Sequence, residues 1–420
     1  MNDPKRVSTN PFFPFLSYEK HYQPFRTPGG GLKPSKKIRP ISYASRRDAA
    51  IFEHYRGKLS EKYEERLRAE GIDECPIAYR KIPSGSGGGK CNIDFAKDAF
   101  DFVVKTGKCR TFVIDISSYF PSISHQKIYD IWRDLLGVDL LPEDHFAVYQ
   151  AITKYSYVDR EELYKELGFI GPKVVGGGLG VGYLRRWDEI PTQLCTPAQL
   201  RGIIKRRKLA GRPILSTNDS PVGIPQGAPI SDVLANMNLL HFDKAISNYV
   251  LKKKGFYRRY SDDIIVILPA EESGSRVLGK LRLELSKAGS NLQIKNSKVS
   301  VVDFDIGSPS PFRWLQGSGK NGLEYLGFRF DGESIYLRDK TVSNFFRKVA
   351  TGAKAYVNST KARFSGMSAS DIRGKIKYDY FLQRYGRVED FETVDDYRQW
   401  TFWTYVRRAR TIFGEPDPAP

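Results

Sequence analysis

Apolar and polar positions alternate in ways that predict a small set of elements. Gly255–Ile267 (Gly-Phe-Tyr-Arg-Arg-Tyr-Ser-Asp-Asp-Ile-Ile-Val-Ile) predicts a hairpin. A β-rich strand leads in, two acids sit at the turn, and an unbroken apolar strand, buried on both faces, leads out. Thr111–Asp115 predicts a second short buried strand that ends in an acid, after which Ile116–Ile123 leaves the sheet. In Gly223–Asn236 a Gly/Pro-rich turn opens into a helix, with Pro229 in its first turn and apolar residues at helical spacing from Ser231 to Leu240. Residues 45–70 predict another helix, with Arg and Glu mixed on its exposed side. Near the C-terminus, Gly332–Arg338 predicts a strand, and Thr341–Asn358 a helix carrying Phe345, Phe346, Val349 and Tyr356. Val394–Phe413 predicts a second helix with Trp400, Phe402, Trp403, Tyr405 and Val406 beside Arg407, Arg408 and Arg410. Aromatics at this spacing pack helices together and turn the basic edges outward. Residues 1–38, rich in Pro, Phe and Gly, show no periodicity and predict an irregular extension, and Glu415–Pro420 a frayed tail.

Composition narrows the class. With 420 residues, 40% hydrophobic and 13% aromatic, the chain can bury a sizeable core. Lys and Arg number 67 against 48 Asp and Glu, a net +19, which suits a polyphosphate partner without proving one. The cysteines Cys75, Cys91, Cys109 and Cys195 show no C-x-x-C spacing, so neither zinc nor disulfides are implied. Five scattered histidines give no support to histidine-based catalysis. The N-terminus lacks the apolar core of a signal peptide and no apolar run reaches a membrane span, so a reduced, cytoplasmic protein without membrane contact is expected. Ser84–Lys90 fails as a phosphate loop, since it would need Gly at Ser84 and Ser or Thr at Cys91, and reads as a flexible loop. Gly176–Gly182 fails as a dinucleotide fingerprint because no βαβ unit surrounds it.

The chemistry concentrates in the acids. Two adjacent carboxylates beside a buried strand repel each other and lose hydration unless something positive holds them. Magnesium suits hard oxygen ligands. Alone, Asp262-Asp263 would be an ordinary solvated hairpin tip. Asp115, at the end of a matching strand, can share a metal with the pair, as in the two-metal route of polymerases. Gln226-Gly227 brings bare backbone close to something flat, such as a nucleotide or template base. The basic stretches Arg185-Arg186 and Lys205–Lys208 lie in a long segment, residues 156–220, that offers a place to grip RNA, although a basic run is more often a solvated face.

Asp115, then Gly223–Asn236 (G-x-P-Q-G-x-x-x-S-x-x-L-x-N), then Tyr260-Ser-Asp-Asp263 resemble, in kind and order, the reverse transcriptases, specifically the bacterial ones. Leu292–Lys298 resembles the segment with a lysine near the nucleotide phosphates, and Glu324–Phe328 the hairpin that grips the primer end. Arg39–Tyr55 and Ala78–Lys81 are similar to the fingers of the defence-associated, abortive-infection-related enzymes. The Asn-Ala-x-x-His and Val-Thr-Gly elements of retron enzymes are absent, and the chain leaves room for little beyond a thumb, unlike intron maturases.

The resemblance implies an α+β right-hand polymerase with fingers, an α/β palm and a helical thumb. Its boundaries would be an extension (1–38), fingers (39–110), first catalytic palm strand (111–125), fingers/palm helices and basic insertion (126–215), palm (216–335) and thumb (336–420). Asp115, Asp262 and Asp263 would hold two Mg²⁺ ions (Mn²⁺ as substitute) together with the Ile116 carbonyl. Phe120 would be the steric gate favouring deoxynucleotides. Arg80, Lys81, Gln226, Gly227 and Lys298 would contact the nucleotide, and Tyr325, Leu326 and Gly327 the primer. The implied activity is RNA-directed DNA synthesis, with a dedicated noncoding RNA, a DNA product strand and dNTPs as partners, in antiphage defence. Untemplated or protein-primed synthesis, a retron- or intron-type enzyme, and a retired polymerase fold that only binds remain open alternatives.

Overall fold

The computed structural model describes residues 3–22, 37–85, 87–175, 178–376, 381, 385–386 and 402–414. Its helices begin with α1 (Pro4–Ser8), α2 (Arg46–Glu70), α3 (Asn92–Thr106), α4 (Tyr119–Ser122), α5 (His125–Leu136), α6 (Glu143–Thr153) and α7 (Arg160–Glu166). They continue with α8 (Pro197–Leu209), α9 (Ser231–Asn238), α10 (Leu240–Leu251), α11 (Gly274–Ala288), α12 (Asp339–Arg363), α13 (Ala369–Gly374) and α14 (Phe402–Phe413).

Strand β3 (Lys108–Asp115) runs through the middle of a five-stranded antiparallel sheet, between β9 (Asp263–Pro269) and β10 (Val299–Asp305). β8 (Phe256–Tyr260) and β11 (Phe312–Gln316) form its edges. The unbroken apolar run of β9 follows from this position, because successive side chains enter different cores. Ile264, Val266 and Leu268 join a core with residues of α2, α5, α9, α10 and α11. Ile265 and Ile267 enter a second core with Phe100 and Val103 of α3 and with Phe328 and Phe330. Each fully buried side chain of this kind contributes about 1.5–3 kcal/mol, so the strand carrying Asp263 is firmly seated.

A second sheet joins β1 (Phe15–Tyr22), β2 (Lys37–Tyr43), β4 (Ser156–Asp159) and β7 (Leu215–Thr217) in the order β2-β1-β4-β7. β12 (Leu323–Tyr325), β13 (Phe328–Phe330) and β14 (Ile335–Leu337) make a small antiparallel sheet against the second core. β5 (Ile170–Val175) and β6 (Gly178–Tyr183) form a ribbon of their own, which explains why the glycine-rich stretch lacks a βαβ setting.

Several expectations change. The N-terminal segment is not irregular throughout, because β1 pairs with both β2 and β4. Helix α9 starts at Ser231 after Ile230, so Pro229 precedes it rather than occupying its first turn, and the helical stretch breaks at Leu239 before α10. Only Ile335–Leu337 of the predicted C-terminal strand is extended, since Gly332 at φ +99° turns the chain. The following helix is longer than predicted, reaching Arg363. Helix α2 matches its prediction. The Ser45 side chain accepts the Asp48 N–H at its start, and Gly71 at φ +66° ends it. Phe345 of α12 stacks on Phe402 of α14 at 4.0 Å, with Trp403 edge-on, so these aromatics pack the two helices together. Trp400 and the rest of 394–401, the tail 415–420 and residues 23–36 of the N-terminal segment lie outside the described residues. Among the described residues, no helix is long and apolar enough to cross a membrane.

Candidate active site

The antiparallel register places Asp115, the last residue of β3, directly opposite Asp263, the first residue of β9. Ser261-Asp262 is the two-residue loop between β8 and β9, closed by the Tyr260–Asp263 pair. Tight hairpin loops of this length favour positive φ, and Ser261 supplies it at φ +59°. The Ile116 N–H donates to the Asp262 carbonyl (3.0 Å), extending the ladder past Asp115. Three carboxylates from two strands and their turn are thereby gathered at one end of the sheet.

The effect of gathering them shows at Asp263. Burial raises the Asp263 carboxyl to about 7, and the charges of Asp262 and Asp115 add to the effect, while Arg338 and Lys298 oppose it. Lys298 donates its ammonium to Asp115 Oδ2. Among the described residues, no three His, Cys, Asp or Glu groups are already drawn together as a metal cage. The donors themselves are hard oxygens, the ligand type that divalent hard metals take.

The remaining expected residues fall into two groups. Lys298, Ile116 and the Tyr325–Gly327 turn lie near the carboxylates. Tyr325 is buried, and the charge of Asp263 lifts its phenol further after burial has done so. Its hydroxyl has no hydrogen-bond partner among the described residues. Leu326 and Gly327, both at positive φ, form the tip, and the Leu326 carbonyl accepts from Asn92 of α3. Asn92 also donates to Tyr405 Oη of α14, tying tip and C-terminal helix together. Phe120, half-buried on α4, uses its carbonyl to accept the Ile224 N–H (3.1 Å) and so joins the Gly223–Asn236 block.

The other group has internal partners. Arg80 was expected at the nucleotide, yet its guanidinium donates to both oxygens of Glu64 and to the carbonyls of Asp73 and Pro76. These bonds commit four of its five N–H donors to internal partners. Its neighbour Lys81 is exposed and lines a cleft of about 530 Å³ with Arg56 and Tyr79. The Gln226 carbonyl accepts the Ser42 N–H, and a Cβ on Gly227 (φ +115°) would meet the Ser42 oxygen at 2.9 Å. The bare backbone approaches strand β2, so the glycine has an internal reason to be there.

Sequence reasoning missed a buried ion pair beneath the acidic turn. Arg259 and Asp243 are both fully buried and meet at 2.6 and 2.8 Å. Tyr257 Oη also donates to Asp243 Oδ1 (2.5 Å). A signal existed, since alternation along β8 puts Arg259 on the inward face with Tyr257.

No protein-family profile and no curated protein matches the chain. Among solved structures, the apo telomerase of Candida tropicalis truncated from its C-terminal domain is similar at TM-score 0.42 and 10% identity, over 72% of this chain and 53% of that one. The Candida albicans telomerase in complex with a TWJ fragment of telomeric RNA gives 0.40 and 12%, over 80% and 47%. The Candida tropicalis telomerase with such a fragment gives 0.40 and 12%, over 83% and 51%. The chain spans about half the length of these proteins. Likeness at this level carries no functional weight, which the site's own geometry must bear.

Proposed function

We propose that the chain is an RNA-directed DNA polymerase that adds deoxynucleotides to a primer 3′-end, working with a dedicated noncoding RNA in antiphage defence. The observation that carries the polymerase reading is the register itself: Asp115 opposite Asp263, with Asp262 in the adjoining turn. Asp115, Asp262 and Asp263, with the Ile116 carbonyl, would hold Mg²⁺. Such ions, when bound, activate the attacking hydroxyl and stabilise the departing pyrophosphate. Lys298, already at Asp115, would supply positive charge toward the nucleotide phosphates. The Phe120 ring would exclude a ribose 2′-hydroxyl, and the Tyr325–Gly327 tip would hold the primer end. The noncoding RNA and the defence role are supported by resemblance of the front-end segments alone.

The test is incorporation of labelled deoxynucleotides by protein purified with its copurifying RNA, with and without magnesium, beside the Asp262→Ala/Asp263→Ala protein. Magnesium-dependent product that disappears in the double variant supports the polymerase, and its sequence reveals template and priming mode. Equal product from the variant would refute this assignment of the acids.

A further inference from the structure

Ser261 occupies the left-handed region at φ +59°, and so does Tyr79 at φ +63°. Residues other than glycine persist there only where their surroundings over-determine them, and these two touch. Tyr79 Oη donates to Ser261 Oγ at 3.3 Å from the solvent side, where the tyrosine is 46% exposed. From the interior, Arg259 Nη1 donates to the Ser261 carbonyl at 3.0 Å and to Asn236 Oδ1 at 3.1 Å.

We propose that Arg259 and Tyr79 are positioning residues that clamp Ser261 from opposite sides and so fix Asp262 and Asp263 in their working arrangement. The catalytic part of this rests on the polymerase reading above.

The clamp is a closed circuit. The Asn236 side chain donates to the Ala78 carbonyl (2.8 Å), fixing the backbone next to Tyr79. Ile77 N–H donates to the Arg259 carbonyl and Arg259 N–H to the Cys75 carbonyl, so the segment leading to Tyr79 runs alongside β8. Asp243 takes the remaining face of the guanidinium. A fully buried ion pair is weak evidence for stability, because desolvation offsets its attraction and apolar residues often replace it without loss. Here the guanidinium has a second task that apolar groups cannot perform, since it holds the carbonyl between Tyr260 and Asp262.

Three variants test this. Arg259→Met/Asp243→Leu/Tyr257→Phe removes both charges and the phenol that served them. Tyr79→Phe removes only the outer hydroxyl, and Ser261→Gly deletes its acceptor while placing a residue that accepts positive φ freely. Each is compared with the parent by thermal unfolding, by kcat and KM for labelled deoxynucleotide incorporation, and by amide hydrogen exchange at residues 261–263. The triple variant is expected to lose about 100-fold in kcat, the scale of an ångström-sized misplacement, with KM within about twofold and faster exchange at the turn. Tyr79→Phe should lose about fivefold in kcat, the scale of one hydrogen bond. Unchanged exchange at 261–263 together with kcat within twofold of the parent, in folded variants, overturns the clamp. If the triple variant does not fold, Ser261→Gly decides by the same two readouts. A parent that incorporates nothing while its variants exchange faster at the turn would refute the polymerase reading and leave the clamp standing.

Discussion

Arg80 and Lys81 adjoin in sequence, and their surroundings separate them. Arg80 is nearly enclosed and bonded to Glu64 and two carbonyls, whereas Lys81 stands exposed at the cleft. Arg80→Ala is therefore expected to lower unfolding free energy by about 1.5–3 kcal/mol, the range for hydrogen bonds to charged groups, without raising KM for deoxynucleotide in the folded protein. Lys81→Ala should leave denaturant midpoints unchanged and, on the polymerase reading, raise KM. Urea titration and steady-state kinetics on both variants check the contrast, and a raised KM with unchanged stability in Arg80→Ala would return that residue to the nucleotide. The acids were legible because adjacent carboxylates next to a buried strand demand an explanation. The fate of Arg80 was not, since nothing local shows that Glu64, on the preceding helix, will take its fork. Gly227 illustrates the same gap. Its need for a bare backbone was readable, but that the nearby group is Ser42 of a distant strand was not.

At the scale of elements, three helices meet around a histidine. Trp132 Nε1 of α5 donates to His145 Nδ1 of α6 (3.1 Å), and Tyr55 of α2 sets its ring edge-on to the imidazole at 4.8 Å. The indole bond requires a bare Nδ1, hence a neutral ring. Burial lowers the His145 pKa first, with Lys58 and His54 pushing the same way and Asp144 opposing. A depressed folded value means that below about pH 6.5, the usual histidine value, the unfolded chain takes up a proton the folded site refuses. The contribution is thus complete above that pH and is lost as pH falls. The raised Asp263 carboxyl pulls the other way over the same window. The readout is therefore the difference in denaturant stability between the parent and His145→Phe, which should shrink from about pH 6.5 toward 5. His125, also lowered by burial, retains its own share. A slope unchanged in His145→Phe would show that the ring does not titrate there. Helices α2 and α12 were readable because their apolar residues recur at helical spacing over many residues, and the β8–β9 hairpin because an unbroken apolar run follows two acids. Strand β1 was not, because its pairing partners β2 and β4 lie in separate stretches of the chain and neither imposes a period on it.

For the whole molecule, the count of 67 Lys and Arg overstates how many basic side chains face a partner, although pairing them leaves the net +19 unchanged. Arg110 binds Asp303, Arg259 binds Asp243, and on α8 Arg206 and Arg207 turn back to Glu166 and Glu162 of α7. The basic run that looked uniform in sequence is therefore divided, with Arg206 and Arg207 bonded to α7 while Lys205 and Lys208 are exposed. If this helix grips RNA, the exposed lysines do so. Each phosphate neutralised on a single strand contributes about 0.7 to the slope of log affinity against log salt. Lys205→Ala/Lys208→Ala should then weaken binding of the copurifying RNA and reduce that slope by about 1.5, with thermal stability unchanged because neither side chain is buried. Arg206→Ala/Arg207→Ala should instead cost stability through the loss of the Glu162 and Glu166 pairs, a modest amount at so exposed a site, and change the slope little. Filter binding between about 50 and 200 mM salt separates the two. An unaltered slope in the lysine variant would place α8 away from the RNA and assign the molecule's excess charge to another face.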